Sequence, residues 1–203
     1  PLLPLPGLAE EAYLSLLDGS AQPFCRYLPA AWRATPVGVP PPALPLLVYL
    51  HGYHPNLDVL NWSCFPSGLT NLAERLDACL ACPFGRGNTD YQGIGEQDVL
   101  QVVDLMQARY GTDPARVILV GYSMGGMGAW TLGARFAERI NGLMIIAGRG
   151  DYYAWQGLEP ESLPPWERAW IDAHFLSGQA HRLTPAAGSS PAARSAHSMA
   201  MTS

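Results

Sequence analysis

Six residues, Gly121-Tyr122-Ser123-Met124-Gly125-Gly126, form the pattern in this chain with the most chemical content. A serine hydroxyl is a weak nucleophile until geometry exposes it to a carbonyl and a base draws off its proton. The spacing G-x-S-x-G produces that exposure, with a strand ending in a sharp turn, serine at the apex, and a helix beginning at once. The turn crowds its own flanks, so the positions two before and two after the serine must be small, here Gly121 and Gly125. At the helix N-terminus the free amide of Met124 and the positive end of the helix dipole face a developing oxyanion. Such a constellation suits acyl transfer with Ser123 as nucleophile. The alternative is a glycine-rich loop that only packs closely or binds phosphate.

The flanking sequence favours the nucleophile reading. Arg116 to Val120 is a short β-branched apolar run, as a buried parallel strand requires, and Met127 to Arg139 is long enough for a helix. A second oxyanion donor is expected from the loop after another buried strand, Leu46 to Leu50, which runs into His51-Gly52-Tyr53-His54. Gly52 lets that backbone fold close to the turn, so the Tyr53 amide is the donor expected beside Met124. His51 reads as a histidine that braces the loop. A metal site built from His51, His54 and Asp58 lacks a matching helix and a third strong ligand, so no metal is expected.

Triad partners are harder to find. Asp151 follows the strand Leu143 to Ile146 and is the candidate acid, although a loop cap is the plainer reading. His174 is the candidate base, although it sits one turn past Trp170 on an expected helix and also reads as packed. His181 and His197 fall in a tail of alanine, serine and proline. The four cysteines, Cys25, Cys64, Cys79 and Cys82, read as buried structural thiols. Cys79-x-x-Cys82 lies in an apolar strand, where an offset of three turns the two side chains to opposite faces.

The bulk composition bounds the rest. Of 203 residues, 48% are hydrophobic and 14% charged, with a net charge of −5, which fits one globular domain and argues against a nucleic-acid surface. No apolar run approaches the ~20 residues of a membrane span. The glycine-punctuated loop Phe84 to Gly95 does not spell a dinucleotide fingerprint, and no cofactor is expected. The partner expected is a small-molecule ester or peptide substrate. The chain opens at Pro1, so a cytoplasmic and a secreted location both stay open.

In chain order, residues 1–21 read as a lead-in and a helix over Leu8 to Leu17. Residues 22–176 alternate strands (Gln22–Ala30, Leu46–Leu50, Asp77–Pro83) with helices (Leu69–Leu76, Glu96–Tyr110, Pro165–Leu176). Residues 34–45 form a proline-rich connection, and Trp155 to Pro165 reads as loop. Residues 177–203 carry a disordered composition. Strands apolar on both faces, alternating with helices, specify an α/β fold with a mostly parallel open sheet flanked by helices.

The strand–His51-Gly52 loop, Pro83-Phe-Gly-Arg-Gly-Asn88, Gly121-Tyr-Ser-Met-Gly-Gly126 and Gly148-Arg-Gly-Asp151 come in the order seen in α/β-hydrolases. Over residues 22–176 the chain resembles the prolyl-oligopeptidase-like and carboxylesterase-like branch, with feruloyl esterase and polyhydroxybutyrate depolymerase relatives. The resemblance implies an α/β-hydrolase-type sheet and hydrolysis of an ester or amide through a Ser123 acyl-enzyme. It also implies an oxyanion hole from the amides at Tyr53 and Met124. The family places acid and histidine on loops after two further strands, and no strand-like run follows residue 176. The expectation is therefore a C-terminally incomplete hydrolase, truncated or frame-shifted, lacking the last strands. Its alternative is a non-catalytic fragment or binding module.

Overall fold

The computed structural model describes residues 5–33, 39 and 42–175. The tail with the disordered composition lies outside the described residues, and His181 and His197 with it. The elements run β1 (Gly7–Leu14), β2 (Ala21–Leu28), α1 (Ala30–Arg33), β3 (Leu46–Leu50), α2 (Ser67–Arg75), β4 (Cys79–Pro83), α3 (Ile94–Tyr110), β5 (Val117–Tyr122), α4 (Met124–Arg135) and β6 (Gly142–Ile146). Helix α5 (Tyr152–Gln156), a 3-10 turn (Pro160–Ser162) and helix α6 (Pro165–His174) follow.

The six strands form one sheet in the order β1-β2-β4-β3-β5-β6. The β1–β2 and β2–β4 pairs are antiparallel and the other three pairs are parallel. Every residue of β3 and β4 is buried, which explains their unbroken apolar runs: helices cover both faces. One face packs against α3 and α4 through Val99, Met106 and Leu132, the other against α2 through Leu69 and Ala73. Cys79 lies in the first of these layers and Cys82 in the second, on the opposite faces that their spacing requires. Burial pushes the Cys79 thiol up to about 12 and raises that of Cys82 as well.

Three sequence expectations give way here. Leu8 to Leu17 is not a helix: Gly7–Leu14 pairs with β2 along all eight residues. Its leucines suit helical spacing, yet Leu8 and Leu14 are exposed, and the strand is anchored instead by Tyr13 and Glu11. The Tyr13 ring packs 6.0 Å from Phe24, and Glu11 reaches the buried Arg26 at 2.8 Å. Tertiary pairing outweighs the helix propensity of an Ala/Glu/Leu-rich stretch. Cys25 and Cys64 are not free thiols but a disulfide closing a separation of 39 residues, a connectivity no local pattern encodes. The stretch Trp155 to Pro165, expected as loop, holds the end of α5 and the 3-10 turn, with Gly157 in the left-handed conformation ending α5.

Beyond β5 the packing thins. Met144 and Ile146 of β6 remain 46% and 47% exposed, and among the described residues no strand pairs with the outer edge of β6. Helices α5 and α6 make a small cluster of their own through Tyr153, Ile171 and Phe175, touching α4 at Met127.

Candidate active site

Strand β5 ends between its neighbours, with Gly121 level with Leu50 of β3 and Tyr122 level with Ile146 of β6. The chain then turns through Ser123 at φ 51°, ψ −113°, a backbone conformation that a residue with a Cβ adopts only when its surroundings enforce it. The enforcement is visible. The Ser123 amide donates to the Ile146 carbonyl at 2.9 Å, and the Ser123 carbonyl accepts from the amides of Gly126 and Met127 as α4 begins. A Cβ on Gly121 would stand 2.2 Å from the Gly125 carbonyl oxygen, and one on Gly125 would stand 1.9 Å from that of Leu50. The two elbow glycines therefore let the first turn of α4 press on its own strand and on the end of β3. That contact brings the His51-Gly52-Tyr53 loop beside the serine.

The loop is held from behind. Both ring nitrogens of His51 lie 3.0 Å from carbonyl oxygens, Nδ1 from Gly52 and Nε2 from Phe84. A neutral imidazole donates to one of them, so this ring braces the loop and has no nitrogen facing Ser123. Tyr91, fully buried, sits against the His51 ring and donates its hydroxyl to the His51 carbonyl. Burial drives its hydroxyl well above the usual tyrosine range. Asn88 completes the brace: its Oδ1 accepts from the His54 amide and its Nδ2 donates to the His54 carbonyl. The sequence showed Arg86, Asn88 and Tyr91 only as part of the glycine-punctuated loop Phe84 to Gly95. In the structure Arg86 ties the buried Asp98 to Asp18 at 2.7 and 2.9 Å, and the other two hold the His51-Gly52-Tyr53-His54 loop.

Among the described residues, no group accepts from the amides of Tyr53 or Met124. Both amides are unspent, one in the loop and one at the helix N-terminus. The Ser123 side chain, partly exposed, likewise has no hydrogen-bond partner among the described residues.

The candidate acid and base each make a local bond. Asp151 is the N-cap of α5, its Oδ1 accepting from the Ala154 amide at 3.2 Å. His174 ends α6, stacked on Trp170 with ring centroids 4.7 Å apart, and its Nδ1–H donates to the Trp170 carbonyl at 2.8 Å. Neither bonds to Ser123. Asp58 shapes its own loop by accepting from the Leu60 amide at 2.7 Å. A carboxylate and two sulfurs, Glu10, Cys25 and Cys64, lie close enough to share an ion. The sulfurs are joined in the disulfide and offer no thiolate.

A family model described as the alpha/beta hydrolase fold matches residues 45–195. Among solved structures, a fluorophosphonate-binding serine hydrolase from Staphylococcus aureus superposes with a TM-score of 0.57 at 19% identity, over 76% of this chain and 62% of its own. S-formylglutathione hydrolase from Staphylococcus aureus gives 0.55 at 16% identity, over 81% and 65%. A post-proline cleaving enzyme from Rickettsia typhi gives 0.58 at 16% identity, over 85% of this chain and 26% of its own. This chain thus spans less than two thirds of the length of each.

Proposed function

The chain belongs to the alpha/beta hydrolase fold family, and from that premise we propose that it is a serine hydrolase acting on an ester or amide through a Ser123 acyl-enzyme. The observation that carries this reading is the backbone of Ser123. A non-glycine residue is held at φ 51° between two close-packed glycines at the N-terminus of α4, beside the loop whose Gly52 packs on Tyr122. Strain of this kind costs on the order of 1–3 kcal/mol, and it persists where the surroundings fix it for a purpose.

In the reaction, Ser123 Oγ bonds to the substrate carbonyl carbon while the C=O electron pair moves onto oxygen. The Tyr53 and Met124 amides hold that oxyanion. Collapse of the tetrahedral adduct breaks the bond to the alkoxide or amine, and water then attacks the acyl-serine. The serine proton needs an acceptor, which the described residues do not supply. That gap favours a second reading, a carbonyl-binding module of hydrolase fold without turnover.

The test is active-site labelling paired with turnover. A fluorophosphonate probe is expected to modify Ser123 alone, as mapped by mass spectrometry, and Ser123→Ala to abolish the label. Label on Ser63, Ser67 or another serine would sink the nucleophile assignment. Labelling with p-nitrophenyl acetate turnover abolished by Ser123→Ala supports the enzyme. Substrate-analogue binding without label or turnover supports the module.

A further inference from the structure

An open cavity of about 400 Å³ lies beside the elbow, against the loop that carries the Tyr53 amide. Its size falls within the ~300–1,000 Å³ of small-molecule sites. Tyr122, the residue before Ser123, forms one wall, and Tyr49, Tyr53, Trp62 and Phe65 contribute aromatic surface. Among the described residues, no lysine, arginine, aspartate or glutamate lines it.

Two of its polar side chains, Asn61 and His51, are already engaged. The Asn61 amide donates to the Asn56 carbonyl at 2.7 Å and its oxygen accepts from the Asp58 amide at 2.8 Å. The His51 ring faces carbonyls through both nitrogens. A carboxylate or ammonium entering here would be desolvated with no lysine, arginine, aspartate or glutamate among the described lining residues to offset that cost. A flat, uncharged ring would instead meet aromatic faces and edges, the arrangement in which such pairs are most favourable.

The walls are set before any ligand arrives. Trp62 stands edge-on to Phe84 at 5.5 Å and 6.4 Å from the His51 ring. Two residues on, Cys64 ties the same segment to the fully buried Cys25 of β2. Binding to walls already ordered avoids the entropy of ordering them.

We propose that this cavity is the specificity pocket of the Ser123 site and takes an uncharged aromatic ring carried by the ester or amide substrate. Its link to catalysis rests on the nucleophile assignment, whereas ring binding does not.

Ser123→Ala protein, which cannot turn substrate over at that residue, is titrated with methyl benzoate, methyl butyrate and sodium benzoate and followed by ligand-observed NMR. Methyl benzoate is expected to bind about tenfold more tightly than methyl butyrate, the worth of ring burial plus one good aromatic contact. The benzoate anion should bind most weakly. Adding Ser63→Trp, which fills the pocket from an exposed lining position, removes the aryl preference, and Trp62→Leu does the same in protein whose far-ultraviolet circular dichroism is native. Equal affinity for the two esters, or a preference that survives Ser63→Trp, overturns the proposal. Fluorophosphonate labelling of the unaltered chain is read in parallel. Label at Ser123 without aryl preference sinks the pocket alone, and aryl preference without label sinks the nucleophile assignment alone.

Discussion

On the β3–β4 side of Ser123, His51, Phe84 and Tyr91 are buried, and the backbone of the His51-Gly52-Tyr53-His54 loop is bonded through His51 and Asn88. On the β6 side, Met144 and Ile146 are nearly half exposed, Trp166 and Trp170 face solvent, and Asp151 and His174 are spent on local bonds. Both flanks touch the same turn, since a Cβ on Gly126 would stand 2.5 Å from Gly148 and one on Gly125 1.9 Å from Leu50. The contrast separates two jobs. Polarising a carbonyl needs backbone amides at fixed positions, which a packed sheet centre supplies. Accepting a proton needs an imidazole held against the serine, and the described β6 side does not provide one.

The sharpest way to break this contrast is at the elbow. Gly125→Val would drive a side chain into the Leu50 and His51 carbonyls, which are backbone and cannot move aside. We expect loss of more than ~3 kcal/mol, read as a collapsed or absent urea transition. A stable Gly125→Val would mean the α4–β3 contact is slack and the site not preorganised.

A core truncation measures the same difference in quieter form. Leu119 in β5 is fully buried, so Leu119→Ala should cost about 2–5 kcal/mol in chemical denaturation. Ile146→Ala in β6 should cost under ~1 kcal/mol because that side chain already sees water. Equal costs would show that the β6 face is covered in the folded protein.

The disulfide tests the anchored wall of the aromatic cavity. Cys64→Ser opens the 39-residue loop and should cost about 2–4 kcal/mol. The same change should weaken methyl benzoate binding while leaving methyl butyrate binding nearly unchanged. Unaltered aryl affinity would show that Trp62 and Phe65 hold the wall without the bridge.

Acid offers a finer probe, at the far edge of the sheet. Burial raises the Glu11 carboxyl, but hydrogen bonds from Tyr110 and Arg26 and the charges of Arg26 and Arg109 outweigh it, so its folded value is lowered. A depressed carboxylate contributes stability that is complete above its unfolded value of about 4.3 and lost as pH falls through the folded value. The stability gap between the unaltered chain and Glu11→Gln should therefore be widest above pH ~5 and close in stronger acid. A pH-independent gap would assign the effect to packing.

His174→Ala should produce the smallest change, leaving fluorophosphonate labelling at its original rate, because the ring is committed to Trp170. A large fall in labelling would bring α6 into the site.

Much of this architecture is local and therefore legible in the residues alone. Gly121, Ser123 and Gly125 stand at fixed spacing because a single turn imposes the constraint. The buried strands read as apolar runs because both of their faces are covered. Cys79 and Cys82 part to opposite faces because strand periodicity is two. Tertiary structure decided what depends on residues far apart in the chain. Leu8 to Leu14 became a strand because Arg26 and Phe24 lay opposite it, and no helical period records a pairing partner. Cys25 found Cys64 across 39 residues. Tyr91, 40 residues from His51, became the floor under the His51-Gly52-Tyr53 loop, although its sequence neighbourhood read only as a glycine-punctuated loop. Trp62 and Tyr122 came to share a cavity across a span where no motif could have joined them. Short-range sterics are written in adjacent residues, whereas braces and pocket walls exist only once the sheet has brought distant loops to one edge.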